Sequence, residues 1–215
     1  MYIKLKRLRL KLRSNLIRYY FLILKFDLYI SYICNIIKDT TMSYCSYVGN
    51  FKEEIFYDSI TNNYPLKNKK QYDWRPVRYT DLPDEMKYLC FLGSNSLHKT
   101  DYILTNPVVI VEHHRRKFSS KEKNKFPFST HTDREGPADG PCYSILYYYQ
   151  IDPNIENGDL RFYEFEDDDK PKETFNPISG DLIAFNDNIY HSPGDFSTKS
   201  DSLVTRGLLA FFVKL

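Results

Sequence analysis

Five histidines serve the whole 215-residue chain: His98, His113, His114, His131 and His191. One of them opens the triplet His131-Thr132-Asp133. On a strand, residues i and i+2 point to the same face, so an imidazole nitrogen and a carboxylate oxygen can converge on one metal ion. His191 is the candidate third ligand. Two histidines and one carboxylate on one face of an octahedron leave positions open, which is the geometry of non-haem iron(II) oxygenases. The triplet alone is a weak signal, since five His and 18 Asp in 215 residues give roughly 0.4 H-x-D occurrences by chance.

The residues downstream of the triplet give it weight. Gly180-Asp181-Leu182-Ile183-Ala184-Phe185 reads as a strand, and a turn around residues 186–188 leads to His191. Arg206 then lies inside the apolar run Thr205-Arg206-Gly207-Leu208-Leu209-Ala210-Phe211-Phe212. A charge in such a strand is costly unless paired. The guanidinium fork suits a carboxylate held bidentately.

The elements that must position these residues are mostly strands. Residues 126–215 read as β throughout: a short strand over 128–133, a long one over 142–151, and an alternating one over 160–165. A strand opening at Gly180-Asp181 and an apolar one over 203–213 complete the set. Asp152-Pro153-Asn154 and Asn157-Gly158 supply turn chemistry. Residues 50–100 read as helices and loops, with helical patterns over 51–60 and over 84–92 after Pro83. Residues 108–111 read as a strand. Short strands at this spacing predict an α+β, mainly β fold, a sandwich or jelly roll, with helices packed on one outer face.

These residues resemble the 2-oxoglutarate- and iron(II)-dependent dioxygenases, most closely the prolyl-hydroxylase branch. There, H-x-D is followed by an Asp-Gly-containing loop, a strand of the type C-x-x-x-I-Y-Y-L-N, and a turn into G-G-x-L-R-F. Here the run is Asp139-Gly140-Pro141-Cys142, then Ile145-Leu146-Tyr147-Tyr148-Tyr149-Gln150, then Asn157-Gly158-Asp159-Leu160-Arg161-Phe162. The resemblance covers about residues 126–215. It implies a double-stranded β-helix (jelly roll) with a core at about 103–215, inside a domain of residues 42–215. His131, Asp133 and His191 would bind Fe(II), and Arg206 would pair with the distal carboxylate of 2-oxoglutarate. Tyr148 would place its hydroxyl on the same carboxylate, and strand parity puts Ser144 and Leu146 on its inward face. The implied reaction consumes O2 and 2-oxoglutarate, releases succinate and CO2, and hydroxylates a protein side chain or small molecule, with ascorbate as an auxiliary reductant. Two departures stand out. The loop before Cys142 is one residue longer. The connection from His191 to Arg206 is longer too, with Ser197 to Ser202 inserted, which makes Lys199 the second candidate for the carboxylate role. Two other classes stay open: a catalytically silent jelly roll used for binding, and a cupin-like metalloenzyme without 2-oxoglutarate, which has no use for an inward arginine on its last strand.

Composition narrows the rest. Charged residues make up 27% and hydrophobic ones 42%, so the chain is neither disordered nor an integral membrane bundle. A net charge of +2, much of it N-terminal, gives no nucleic-acid signal. The 19 Tyr and 15 Phe against 1 Trp follow an AT-rich codon bias and carry no functional signal. Cys34, Cys45, Cys90 and Cys142 form no C-x-x-C pair, which excludes a zinc knuckle and points to a reducing, cytoplasmic setting. His113-His114-Arg115-Arg116 reads as a solvated basic strand end, and Asp167-Asp168-Asp169 as an acidic loop rather than a calcium site. Residues 1–41 are basic and then apolar. They read as an extension outside the working domain, with Met42 a candidate start, against a surface-lying amphipathic helix or a weak signal-anchor that would make the protein membrane-associated.

Overall fold

A computed structural model describes residues 44–52, 54–65, 72–97, 107–117, 129–133, 142–194, 196–198 and 203–214. The expectations for residues 1–41, for the Asp139–Pro141 loop and for Lys199 lie outside them. The described residues form eleven strands and two α-helices. No helix among them is long and apolar enough to cross a membrane.

The strands are β1 (Ser46–Asn50), β2 (Tyr72–Arg78), β3 (Val108–Lys117), β4 (Cys142–Ile151), β5 (Ile155–Asn157), β6 (Leu160–Tyr163), β7 (Glu173–Phe175), β8 (Asp181–Asn186), β9 (Tyr190–Pro193), β10 (Phe196–Thr198) and β11 (Leu203–Lys214). The helices are α1 (Glu54–Asn63) and α2 (Asp84–Leu97). A six-stranded antiparallel sheet runs β1-β8-β4-β11-β3-β2. Facing it are a three-stranded sheet, β7-β6-β9, and the pair β10-β5. This is the jelly roll that the sequence predicts.

β4 shows how one strand serves two cores. Its residues from Cys142 to Tyr149 are all buried. Ile145, Tyr147 and Tyr149 pack toward the helices, with Phe56 and Ile60 of α1 and Met86, Leu89 and Cys90 of α2. Leu146 and Tyr148 point the other way, into a second cluster with Phe162, Phe175, Ile183, Phe185 and Ala210. Alternation along the pleat produces both contacts from one apolar run. A one-residue slip would exchange the two faces, so the register is strongly specified. α2 meets the sheet through Met86, Leu89, Cys90, Gly93 and Ser94, which recur at helical spacing, and Asp84 and Glu85 in its first turn suit the helix dipole.

The fold departs from expectation in three places. The region of residues 50–100 also supplies strand β2, and β1 runs into its start. Both are outer strands of the large sheet. β1 is five residues long with a register shift between Tyr47 and Gly49, and β2 carries Pro76 and two arginines. Both lack the apolar alternation that marks inner strands, as suits a sheet edge. The 128–133 segment is not a strand over its described part. Only His131 pairs, as an isolated bridge to His191. Finally, residues 196–198, at the start of the inserted His191-to-Arg206 connection, form β10 against β5 instead of loop.

The turn into β8 is fixed by Gly180, whose φ is +95°. A Cβ there would lie 2.7 Å from the Lys52 backbone nitrogen. The Gly180 N–H donates to the Tyr148 carbonyl at 2.7 Å, and its own carbonyl accepts from Phe51 N–H at 2.7 Å. Asp181, 3% exposed, accepts from Asn50 Nδ2 at 2.8 Å and from Ile178 N–H at 2.8 Å. The Gly-Asp pair therefore ties β8 to β1 and β4. Gly180→Ala is expected to cost about 2 kcal/mol or more, from left-handed backbone plus backbone contact. In a thermal melt that is a fall of roughly 4–8 °C; an unchanged melt would refute this role.

Candidate metal centre

His131 comes from the segment before β4 and is half-buried, and His191 comes from β9 and is buried. Each donates its N–H to the other's carbonyl, at 3.0 Å for His131 and 2.8 Å for His191. This reciprocal bridge holds the two imidazoles side by side, with ring centroids 4.5 Å apart. Asp133 is pinned separately, its N–H donating to the Asp187 carbonyl in the β8–β9 turn at 3.0 Å. Asp187 N–H in turn donates to Cys142 O, at the start of β4, at 3.2 Å.

Both histidines use the same local device. His131 Nδ1 lies 2.9 Å from the Ser129 carbonyl, and His191 Nδ1 lies 3.0 Å from the Ile189 carbonyl. A carbonyl only accepts, so each Nδ1 carries the proton and each Nε2 keeps its lone pair for a ligand. That is how metal-binding imidazoles are oriented. The two Nε2 atoms face Asp133, at 3.6 Å (Oδ1) from His131 and 3.4 Å (Oδ2) from His191. One ligand atom from each of the three residues falls within 4.8 Å of the others. Burial pushes the His191 pKa down, against the pull of Asp133, which keeps the ring neutral and able to ligate. Phe185 packs edge-on to His191 at 4.9 Å, an apolar wall on one side of that ring.

Deeper along the same inner face lie Tyr148 and Arg206. The large sheet sets Arg206, 4% exposed, over the Tyr148 ring, with its guanidinium carbon 5.4 Å from the ring centroid. The three consecutive tyrosines of β4 differ in one respect. Tyr147 and Tyr149 donate to the carbonyls of Phe51 and Glu112, at 2.9 and 3.0 Å. The Tyr148 hydroxyl is fully buried and finds no hydrogen-bond partner among the described residues. Arg206, over its face, favours the ionised phenol through its charge and its N–H groups, though no bond of good geometry joins them. Burial dominates and pushes the Tyr148 pKa up to about 12, so the hydroxyl keeps its proton at neutral pH.

The arrangement therefore offers two nitrogens and a carboxylate at one point, and a buried phenol and guanidinium further in. Solved structures share the architecture. The Fe(II)/α-ketoglutarate-dependent dioxygenase TqaL aligns with a TM-score of 0.52 at 14% identity, covering 86% of this chain and 87% of its own. A structure named IDO from Bacillus thuringiensis aligns with a TM-score of 0.51 at 14% identity, covering 75% of this chain and 87% of its own. The chain shares its jelly-roll fold with both. A prolyl 4-hydroxylase from Pseudomonas putida also aligns, at 13% identity over 80% of this chain and 94% of its own, but with a TM-score of 0.44. No protein-family model and no curated sequence matches the chain.

The residues singled out by sequence fall into two groups. His131, Asp133 and His191 come together, and Tyr148 and Arg206 come together on the same inner face, with Leu146 between the two groups as strand parity requires. His113 and His114 lie on β3 in register with Gly207 and Arg206. Within the Asp167-Asp168-Asp169 run, Asp168 accepts the N–H groups of Glu164 and Phe165, at 3.2 and 3.1 Å, and so closes a turn. Sequence reasoning missed the carbonyls of Ser129 and Ile189 and the partner of Asp133. That partner is the Ser144 hydroxyl, 2.5 Å from Asp133 Oδ2. Parity marked Ser144 as inward, but nothing in a lone serine announces what it touches.

Proposed function

We propose that the chain is an Fe(II)- and 2-oxoglutarate-dependent dioxygenase that hydroxylates its substrate. One observation carries this reading: a two-histidine, one-carboxylate cluster and a buried arginine–tyrosine pair share a single interior face of the jelly roll. In this reading His131 and His191 hold iron through Nε2 and Asp133 holds it through its carboxylate. A two-histidine, one-carboxylate set also suits catalytic zinc. The arginine–tyrosine pair favours iron with an anionic co-substrate, because Arg206 and Tyr148 would receive the distal carboxylate of 2-oxoglutarate. Arg206 supplies charge, and Tyr148, its proton retained, donates a hydrogen bond. The bound metal and 2-oxoglutarate supply the oxidising chemistry, with succinate and CO2 as products. The chain fixes their orientation, and Phe162, Phe185 and Leu146 keep water from the interior.

The domain responsible is residues 42–215, with residues 1–41 an extension outside it. The prolyl-hydroxylase likeness of residues 126–215 favours a protein side chain as substrate. Anaerobically purified protein given Fe(II), 2-oxoglutarate and ascorbate in air is expected to form succinate slowly even without substrate, and faster with a matching peptide. Replacing Fe(II) with Zn(II) is expected to stop it. If 2-oxoglutarate neither binds by calorimetry nor yields succinate in the Fe(II) protein, the proposal is wrong.

A further inference from the structure

Ser144 is the large sheet's contribution to the candidate centre. The ligands themselves come from the His131 segment and from β9, whereas Ser144 lies on β4, opposite Phe185 of β8. Its side chain is fully buried. The hydroxyl donates to Asp133 Oδ2 at 2.5 Å. An ionised carboxylate only accepts, so the proton in that bond is the serine's. The separation is that of a strong charge-assisted bond.

Asp133 has two oxygens within reach of the ligand nitrogens: Oδ1 beside His131 and Oδ2 beside His191. A free carboxylate in that position can offer a metal either oxygen or both. We propose that Ser144 is a positioning residue that removes this choice. By holding Oδ2 it commits Asp133 to bind metal through Oδ1 alone. A chelating carboxylate would occupy one more coordination position, so the serine keeps that position open for exogenous ligands. This rests on the reading of His131, Asp133 and His191 as a metal centre.

The test is titration of the full chain with Co(II), whose visible bands report the number and type of ligands, alongside thermal melts of the metal-free protein. Ser144→Ala is expected to weaken Co(II) binding about 10- to 100-fold, the usual effect of losing a hydrogen bond to a metal ligand, and to change the visible bands. Ser144→Thr keeps the hydroxyl and is expected to restore both. A purely structural role predicts the opposite order: bands unchanged in both variants, and Thr, with its extra methyl in a packed site, more destabilising than Ala. That outcome overturns the proposal. So does an alanine variant that matches the wild type in affinity and spectrum while the wild type binds. A wild type that binds no Co(II) overturns the metal-centre reading and this role with it.

Discussion

Asp133→Ala is expected to abolish metal-dependent stabilisation and succinate formation together. Losing a hydrogen bond to a metal ligand costs about 10- to 100-fold in affinity, so losing one of three ligands must cost more. The measurement needs no substrate. At a metal concentration 100 times its Kd, Mn(II) or Fe(II) stabilises the folded protein by about 2.7 kcal/mol. For a chain of this size that is a rise of roughly 5–10 °C in Tm. Asp133→Ala should melt at one temperature with or without metal. Its metal-free Tm is expected to fall modestly, because the buried Ser144 hydroxyl loses its acceptor, so the metal-induced rise is read against the variant's own metal-free melt. If the variant keeps the full metal-induced rise, Asp133 is not a ligand.

Arg206→Met is expected to leave metal binding intact and to destroy the response to 2-oxoglutarate. The two groups act at separate points: Ser144, at the cluster, and Tyr148, under Arg206, are four residues apart on β4, about 13 Å along the strand. Each charge-assisted hydrogen bond from the guanidinium to a carboxylate contributes about 1.5–3 kcal/mol. A bidentate pair therefore predicts a loss of about 100-fold or more in 2-oxoglutarate affinity. Arg206→Lys should recover only part of it, since a point charge cannot reproduce the planar fork. Calorimetry with 2-oxoglutarate on the metal-loaded variants reads this directly. Unchanged 2-oxoglutarate binding in Arg206→Met would move the carboxylate role elsewhere, with Lys199 next in line. A cupin-like centre predicts succinate-free turnover that is indifferent to both variants.

How much of this was legible in the sequence depended on how much apolar pattern each element carries. β4, β8 and β11 are inner strands, buried on both faces, and their apolar runs give them away to within a residue or two. The grouping of the three candidate ligands was legible because His131 and Asp133 share a strand-like spacing and His191 arrives in order behind the Gly180-Asp181 strand. Inner-strand parity also gave the common face of Ser144, Leu146 and Tyr148. β1 and β2 were not legible, because an edge strand tolerates Pro76, Gly49 and charges that a central strand rejects. His131 misled in a milder way. A single bridge with reciprocal hydrogen bonds to His191 positions the ring as well as a strand would, and local sequence cannot tell one from the other. Ser144 lay beyond reach for a different reason: its function is a contact, and contacts between distant segments are not written in periodicity.

The placement of β11 between β3 and β4 has a consequence in time as well as in space. β3 and β4 follow one another along the chain, yet neither pairs with the other, and each bonds to β11 along most of its length. Until β11 arrives, the large sheet is split into two halves, each with a bare ten-residue strand at its border. Pairings this distant in sequence are slow to form, and an unpaired strand border invites other chains to add to it. Refolding of this protein should therefore be slow, sensitive to protein concentration, and most vulnerable to aggregation in the interval before Arg206 and its strand are seated.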